Sequence, residues 1–192
     1  MGYEQLFKQA VLFHENGELN KAENIYRQIL ETAPENADIL NLLGMIAQAK
    51  GIHDQACNWF YRALKQAPDN AHIYFNLGLS LFNDNKPHEA IDAYRKAIAL
   101  KPDIKETYNY LGEVYKEAGD ISAAVQNYQK ALQIDENYTE AKINLAFVQK
   151  DTQALEQIVA SLPKNAMAVY YLSLLYDPPH ADRKSTRLNS SH

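Results

Sequence analysis

The sequence predicts an all-α solenoid built from antiparallel helix pairs, and three observations predict it. The chain matches itself at a spacing of 34 residues. Every period holds two stretches with helical apolar spacing, and none holds enough apolar surface for a core of its own, so the pairs must stack on one another. Columns carry the spacing: Ala22, Ala56, Ala90 and Ala124; Tyr26, Phe60, Tyr94 and Tyr128; Leu43-Gly44, Leu77-Gly78 and Leu111-Gly112, with Gln9-Ala10 as a looser first copy. Pro34, Pro68 and Pro102 form another, filled by Glu136 in the fourth period. The full units are therefore 3–36, 37–70, 71–104 and 105–138.

Each unit contains the same elements in the same order. In the third, IYFNLGLSLF sets Tyr74, Leu77 and Leu81 at helical spacing, NDNKP interrupts it, and HEAIDAYRKAIAL resumes it through Ala90, Tyr94 and Ala97. Gly17, Gly51 and Gly119 share the interrupting turn with Asn85, all residue types that can take φ > 0 and close a helix. The prolines stop the second helix, and Asp69-Asn70 and Asp103 follow them where short polar side chains can cap the next one. Small residues in register predict close approach. Ala10, Gly44, Gly78 and Gly112 on first helices face Ala22, Ala56, Ala90 and Ala124 on second helices, with the Tyr or Phe column filling the space beside them.

After residue 138 the pattern shortens. YTEAKINLAFVQK supplies a first helix and DTQALEQIVASL a second that ends at Pro163, so the fifth unit, 139–165, is seven residues short. The expected deletion removes the end of its first helix and its Gly turn. A half unit, 166–176, follows, and its AVYYLSLLY is apolar nearly all round. Leu172, Leu174, Leu175 and Tyr176 read as surface prepared for a partner, self-association included.

These columns resemble the tetratricopeptide repeat. The fourth unit matches that pattern with Tyr108, Leu111-Gly112, Tyr115, Ala124, Tyr128 and Ala131, and departs from it at Glu136, where the family has proline. The third matches with Tyr74, Leu77-Gly78, Leu81, Ala90, Tyr94, Ala97 and Pro102. The resemblance covers residues 3–138 and implies a right-handed superhelix whose first helices line a concave peptide groove. Carried onto this chain, the groove positions hold Asp38, Asn41, Met45, His72, Asn76, Leu79, Asn109, Glu113, Lys116 and Asn144 as candidate contacts. The four asparagines run through successive units as a short ladder of amides, each able to donate and accept toward a peptide backbone. Acidic groove residues, Asp38, Glu106, Glu113, Glu117 and Glu140, outnumber lysines, which favours a neutral or basic partner over an acidic one. A carboxylate clamp of the kind used by chaperone-tail-binding members is not evident, because His72 and Asn76 stand where two cations would be expected. The leading functional expectation is a protein-interaction scaffold that is not an enzyme. The alternative is a repeat region similar to that at the front of bacterial multidomain glycosyltransferases, sulfotransferases or methyltransferases, its catalytic domain lying further on.

Composition narrows the remaining classes. The formal charge is −5, and the last eleven residues carry three Lys or Arg against one Asp, which leaves residues 1–181 at −7. An acidic body of this kind does not predict nucleic-acid or anionic-membrane binding. Cys57 is the single cysteine, no histidines stand in an i, i+4 pair, and no nucleotide-binding loop or nucleophile elbow occurs, so neither a cofactor nor a metal is expected. No basic segment leads into a long apolar run, which points to a cytoplasmic protein. The thirteen tyrosines suggest rings that fill grooves between helices while their hydroxyls reach water. Residues 177–192 are expected to be a disordered tail. Within it DRKSTRLNSSH, 182–192, resembles an in-frame translation of a sequencing-library adapter, so it is read as an artefact and the chain before it as a fragment.

Overall fold

The structure is a computed structural model that describes residues 2–177. The adapter reading of 182–192 and almost all of the expected tail lie outside the described residues. Those residues form eleven α-helices and no strand: α1 (Tyr3–Glu15), α2 (Leu19–Thr32), α3 (Ala37–Ala49), α4 (His53–Gln66), α5 (Ala71–Asn83), α6 (Pro87–Leu100), α7 (Lys105–Glu117), α8 (Ile121–Ile134), α9 (Thr139–Val148), α10 (Thr152–Ser161) and α11 (Ala166–Tyr176). Each odd-numbered helix from α1 to α9 pairs with the even-numbered helix after it, and each even-numbered helix packs on the next odd one. The odd helices α3, α5, α7, α9 and α11 also touch in series, which makes them one continuous row.

Local chemistry sets the helix ends. The tight turns place Gly17, Gly51 and Gly119 at φ of 75°, 74° and 82°, the left-handed region that a Cβ disfavours. Asn85 takes φ 59° in the third unit, as the shared column predicts. Asn36 and Asn70 cap α3 and α5 by accepting from backbone N–H groups one turn on, whereas Asp69 and Asp103 cap nothing; α7 begins after Ile104 without a side-chain cap. The helices α2, α4 and α6 end two residues before Pro34, Pro68 and Pro102, yet α8 ends at the same phase before Glu136. Proline therefore reinforces a stop that the backbone already makes.

Between paired helices, the close approach is made by ring on glycine. A Cβ added to Gly44, Gly78 or Gly112 would lie 2.4, 2.7 or 2.6 Å from the ring of Phe60, Tyr94 or Tyr128 respectively, far inside contact distance. Ala22, Ala56, Ala90 and Ala124 are fully buried as well. The tyrosine column differs from the expectation that its hydroxyls reach water. Tyr26, Tyr94 and Tyr128 are fully buried, and among the described residues none of their hydroxyls has a hydrogen-bond partner. The ring sits so deep between stacked pairs that its tip is sealed with it.

The shortened unit also departs from expectation. Its turn survives, with Lys150 at φ 57° in the place where other units have glycine or asparagine. The missing residues come instead from both helices: α9 and α10 have ten each where α7 has 13 and α8 has 14. In α11, Leu172 and Leu175 pack against the cluster of Ile143, Ala146, Leu155 and Ala168 and are not free surface. The outward face belongs to Val169, Tyr170 and Tyr176. No helix among the described residues is long and apolar enough to cross a membrane.

Candidate functional site

The row of odd helices carries all the candidate contacts, and helical phase decides what each can reach. Counting from the first residue of each unit, the fifth residue of one odd helix lies beside the sixth of the next, 35 residues further on. Two such rungs are amide pairs: Asn76 donates to Asn41 Oδ1 at 3.2 Å, and Asn144 donates to Asn109 Oδ1 at 3.1 Å. The rung between them is aromatic, with Phe75 and Tyr110 edge to face at 5.7 Å and Tyr110 stacked 6.4 Å from Tyr94. The four asparagines are thus two pairs separated by rings, and not a continuous ladder. Asn109 and Asn144 are buried, with their amides turned to protein groups; Asn41 and Asn76 are half-buried. Like faces like on each rung because an amide opposite a ring would lose its hydrogen bond in a dry place.

Glu113 is the polar centre of the C-terminal half. Its Oε1 accepts from Asn144 Nδ2 at 3.1 Å and from Asn109 Nδ2 at 3.4 Å. Burial pushes its carboxyl above the usual carboxylate range; Lys116 and the two asparagine bonds oppose that shift, and Glu117 adds to it. Lys116 does not pair with it. Its ammonium donates to Tyr171 Oη at 3.0 Å and lies 5.3 Å from that ring's centroid. Tyr171 in turn stacks on Phe147 at 4.1 Å.

The other candidates are more open. Asp38 and His72 are exposed near the starts of α3 and α5, and His72 lines a hollow between the loops with Pro68, Asn70 and Lys101. Met45 is 37% exposed, and its sulfur lies 3.8 Å from Asn41 Nδ2. Leu79 is half-buried in the middle of the row. Tyr171 was not legible as part of the site, although it is the sixth residue of the half unit, the same phase as Asn76 and Asn144; carrying the count past the shortened unit would have found it. Cys57 is buried, and desolvation raises its thiol to about 11, so it is a packing residue and a poor nucleophile. Among the described residues no three His, Cys, Asp or Glu side chains gather where they could hold a metal ion.

Stacked helix pairs with glycine-on-ring contacts and a continuous inner row define a helical-repeat protein. Three family models agree: two described as tetratricopeptide repeat match residues 6–36 and 35–103, and one described as TPR repeat matches 112–153. The chain belongs to the tetratricopeptide repeat family. Its fold is similar to that of a tetratricopeptide repeat protein from Parabacteroides merdae, at 20% identity and a TM-score of 0.78, covering 91% of this chain and 72% of that one. It is similar also to Pseudomonas aeruginosa PilF, at 18% identity and a TM-score of 0.71, over 92% and 91% of the two chains. A third similar structure is YrrB, a TPR protein with an unusual peptide-binding site, at 19% identity and a TM-score of 0.70 over 88% and 91%. No curated protein matches the chain in sequence.

Proposed function

We propose that the protein is an interaction scaffold that takes an extended segment of a partner protein along the face of α3, α5, α7 and α9, without catalysing a reaction. One observation carries the reading: hydrogen-bonding groups and partly exposed apolar groups alternate along one unbroken row of helices. Asp38 and Asn41 stand beside Met45, Asn76 beside Leu79, and Glu113 beside Tyr110. An extended peptide needs both, polar groups to meet its backbone and apolar ones to cover its side chains. The peptide site described for YrrB supports the reading by analogy of fold. The acidic balance of the face makes a neutral or basic segment the better partner.

The test is selection from a random-peptide library on the purified protein, followed by binding of the selected peptides to variants. Leu79→Arg places a long cation in the middle of the face and should abolish binding, whereas Ile121→Arg, at a 44% exposed residue that begins α8, should leave it unchanged. Failure to select any peptide, or equal loss in both variants, refutes the reading.

A further inference from the structure

The Glu113 carboxylate is half satisfied. Both asparagine donors reach Oε1, and no described residue donates to Oε2, which is not among the sealed polar atoms. The cation nearest in sequence, Lys116, is held away by Tyr171. A second, independent sign of an incomplete site is Asn144. It is fully buried and its Nδ2 is spent on Glu113 and Asn109, yet its Oδ1 has no partner among the described residues. Buried amides are costly unless paired, and this one is placed to orient a carboxylate that itself points an acceptor outward.

Flat rings stand on both sides. Along the row, the Phe75–Tyr110 pair lies toward α5 and the Phe147–Tyr171 pair toward α9 and α11. Further negative charge surrounds them: Glu140 and Glu106 act on Tyr110 together with Glu113, and all three push its hydroxyl in the same upward direction as burial does. A carboxylate with a free oxygen, aromatic faces beside it and surplus negative charge is the chemistry that holds an organic cation.

We infer that Glu113, set between the two ring pairs, is the seat for a basic side chain of the bound peptide, arginine in preference to lysine. This rests on the proposed peptide-binding face and names what that face selects. Arginine is preferred because its planar guanidinium can donate to Oε2 while lying against a ring, whereas an ammonium is a point charge that gives up more hydration to do so.

The experiment uses the peptides selected above. They should share a basic position, and replacing its arginine should weaken binding, more by glutamine than by lysine. Glu113→Gln keeps an oxygen for the asparagine donors but removes the charge, and should weaken the arginine peptide by about tenfold while leaving its glutamine version unchanged. Lys116→Gln removes the competing cation and should tighten the arginine peptide by about threefold. Peptides with no shared basic position, or an arginine peptide indifferent to Glu113→Gln while Leu79→Arg still abolishes its binding, overturn the inference and leave the peptide face standing. If nothing is selected at all, both fall.

Discussion

Glu113 ties pH to folding as well as to binding. Its folded-state pKa is raised, with burial the largest cause, so the folded protein takes up this proton more readily than the unfolded chain does. The stability it contributes is complete below the ordinary carboxylate range and is lost as pH rises through the raised value. The groups around it are Asn109, Tyr110, Lys116 and Glu117 on its own helix, Tyr138 just before α9 and Asn144 within it, and Tyr94 and Tyr128 from the even helices, with Tyr171 of α11 reached through Lys116. The Tyr94 and Tyr128 hydroxyls are pushed upward by burial and stay neutral throughout this range. Glu113→Gln should therefore be at least as stable as the parent at neutral pH, with its advantage shrinking as pH falls into the carboxylate range. Chemical denaturation of both proteins across that range checks this; a constant difference would show that Glu113 does not titrate differently in the fold.

At the scale of the helix pair, register is fixed by ring against glycine. Gly78 has Tyr94 where a Cβ would stand, at 2.7 Å from Cε1, and Tyr94 is fully buried, so the ring has no open side to swing toward. Gly78→Ala should destabilise the protein by about 1–3 kcal/mol despite the better helix propensity of alanine. A smaller cost in a Tyr94→Leu background, measured by a double-mutant denaturation cycle, would assign the penalty to that contact; full additivity would place it elsewhere. The repeat columns made this legible, since small and large residues recur in step. The depth of the ring was not. A tyrosine column looks suited to water at one end, but Phe60 filling the same column in the second unit is the clue that the hydroxyl is dispensable there. Likewise the asparagines were visible as a series, while their pairing was not, because it depends on a one-place offset between adjacent units that only stacking reveals. The shortened unit hid its turn for a related reason: Lys150 lacks the glycine signature, and the turn is imposed on it by the pairing of α9 with α10.

For the whole molecule, stacking makes stability a property of neighbours, so it should vary along the chain. The central helices share one cluster that runs from Leu40 to Val114. Toward the C-terminus the core shrinks to Ile143, Ala146, Leu155 and Ala168 with the partly buried residues around them, and α10 and α11 each contribute one fully buried side chain. Toward the N-terminus α1 buries only Ala10. The outer face of α11, with Val169 44%, Tyr170 58% and Tyr176 62% exposed, adds little to hold it in place beyond the Tyr176 hydroxyl donating to Glu156 of α10. Helices in this position should open without unfolding the centre, because each loses contact with only one neighbouring pair. Hydrogen exchange under native conditions should show α5 and α6 as the most protected helices, with α1 and α10–α11 the least, and urea should widen the gap before the centre yields. Uniform protection from α1 to α11 would mean that the stack unfolds as one unit. A graded result would instead place the Glu113 seat at the boundary between firm and yielding helices: α7 belongs to the central cluster, while Tyr171, which holds Lys116 away from the carboxylate, is carried by α11. Opening of α11 would then release Lys116 toward Glu113, so a peptide that seats a cation there should slow exchange in α11 as well as in α7.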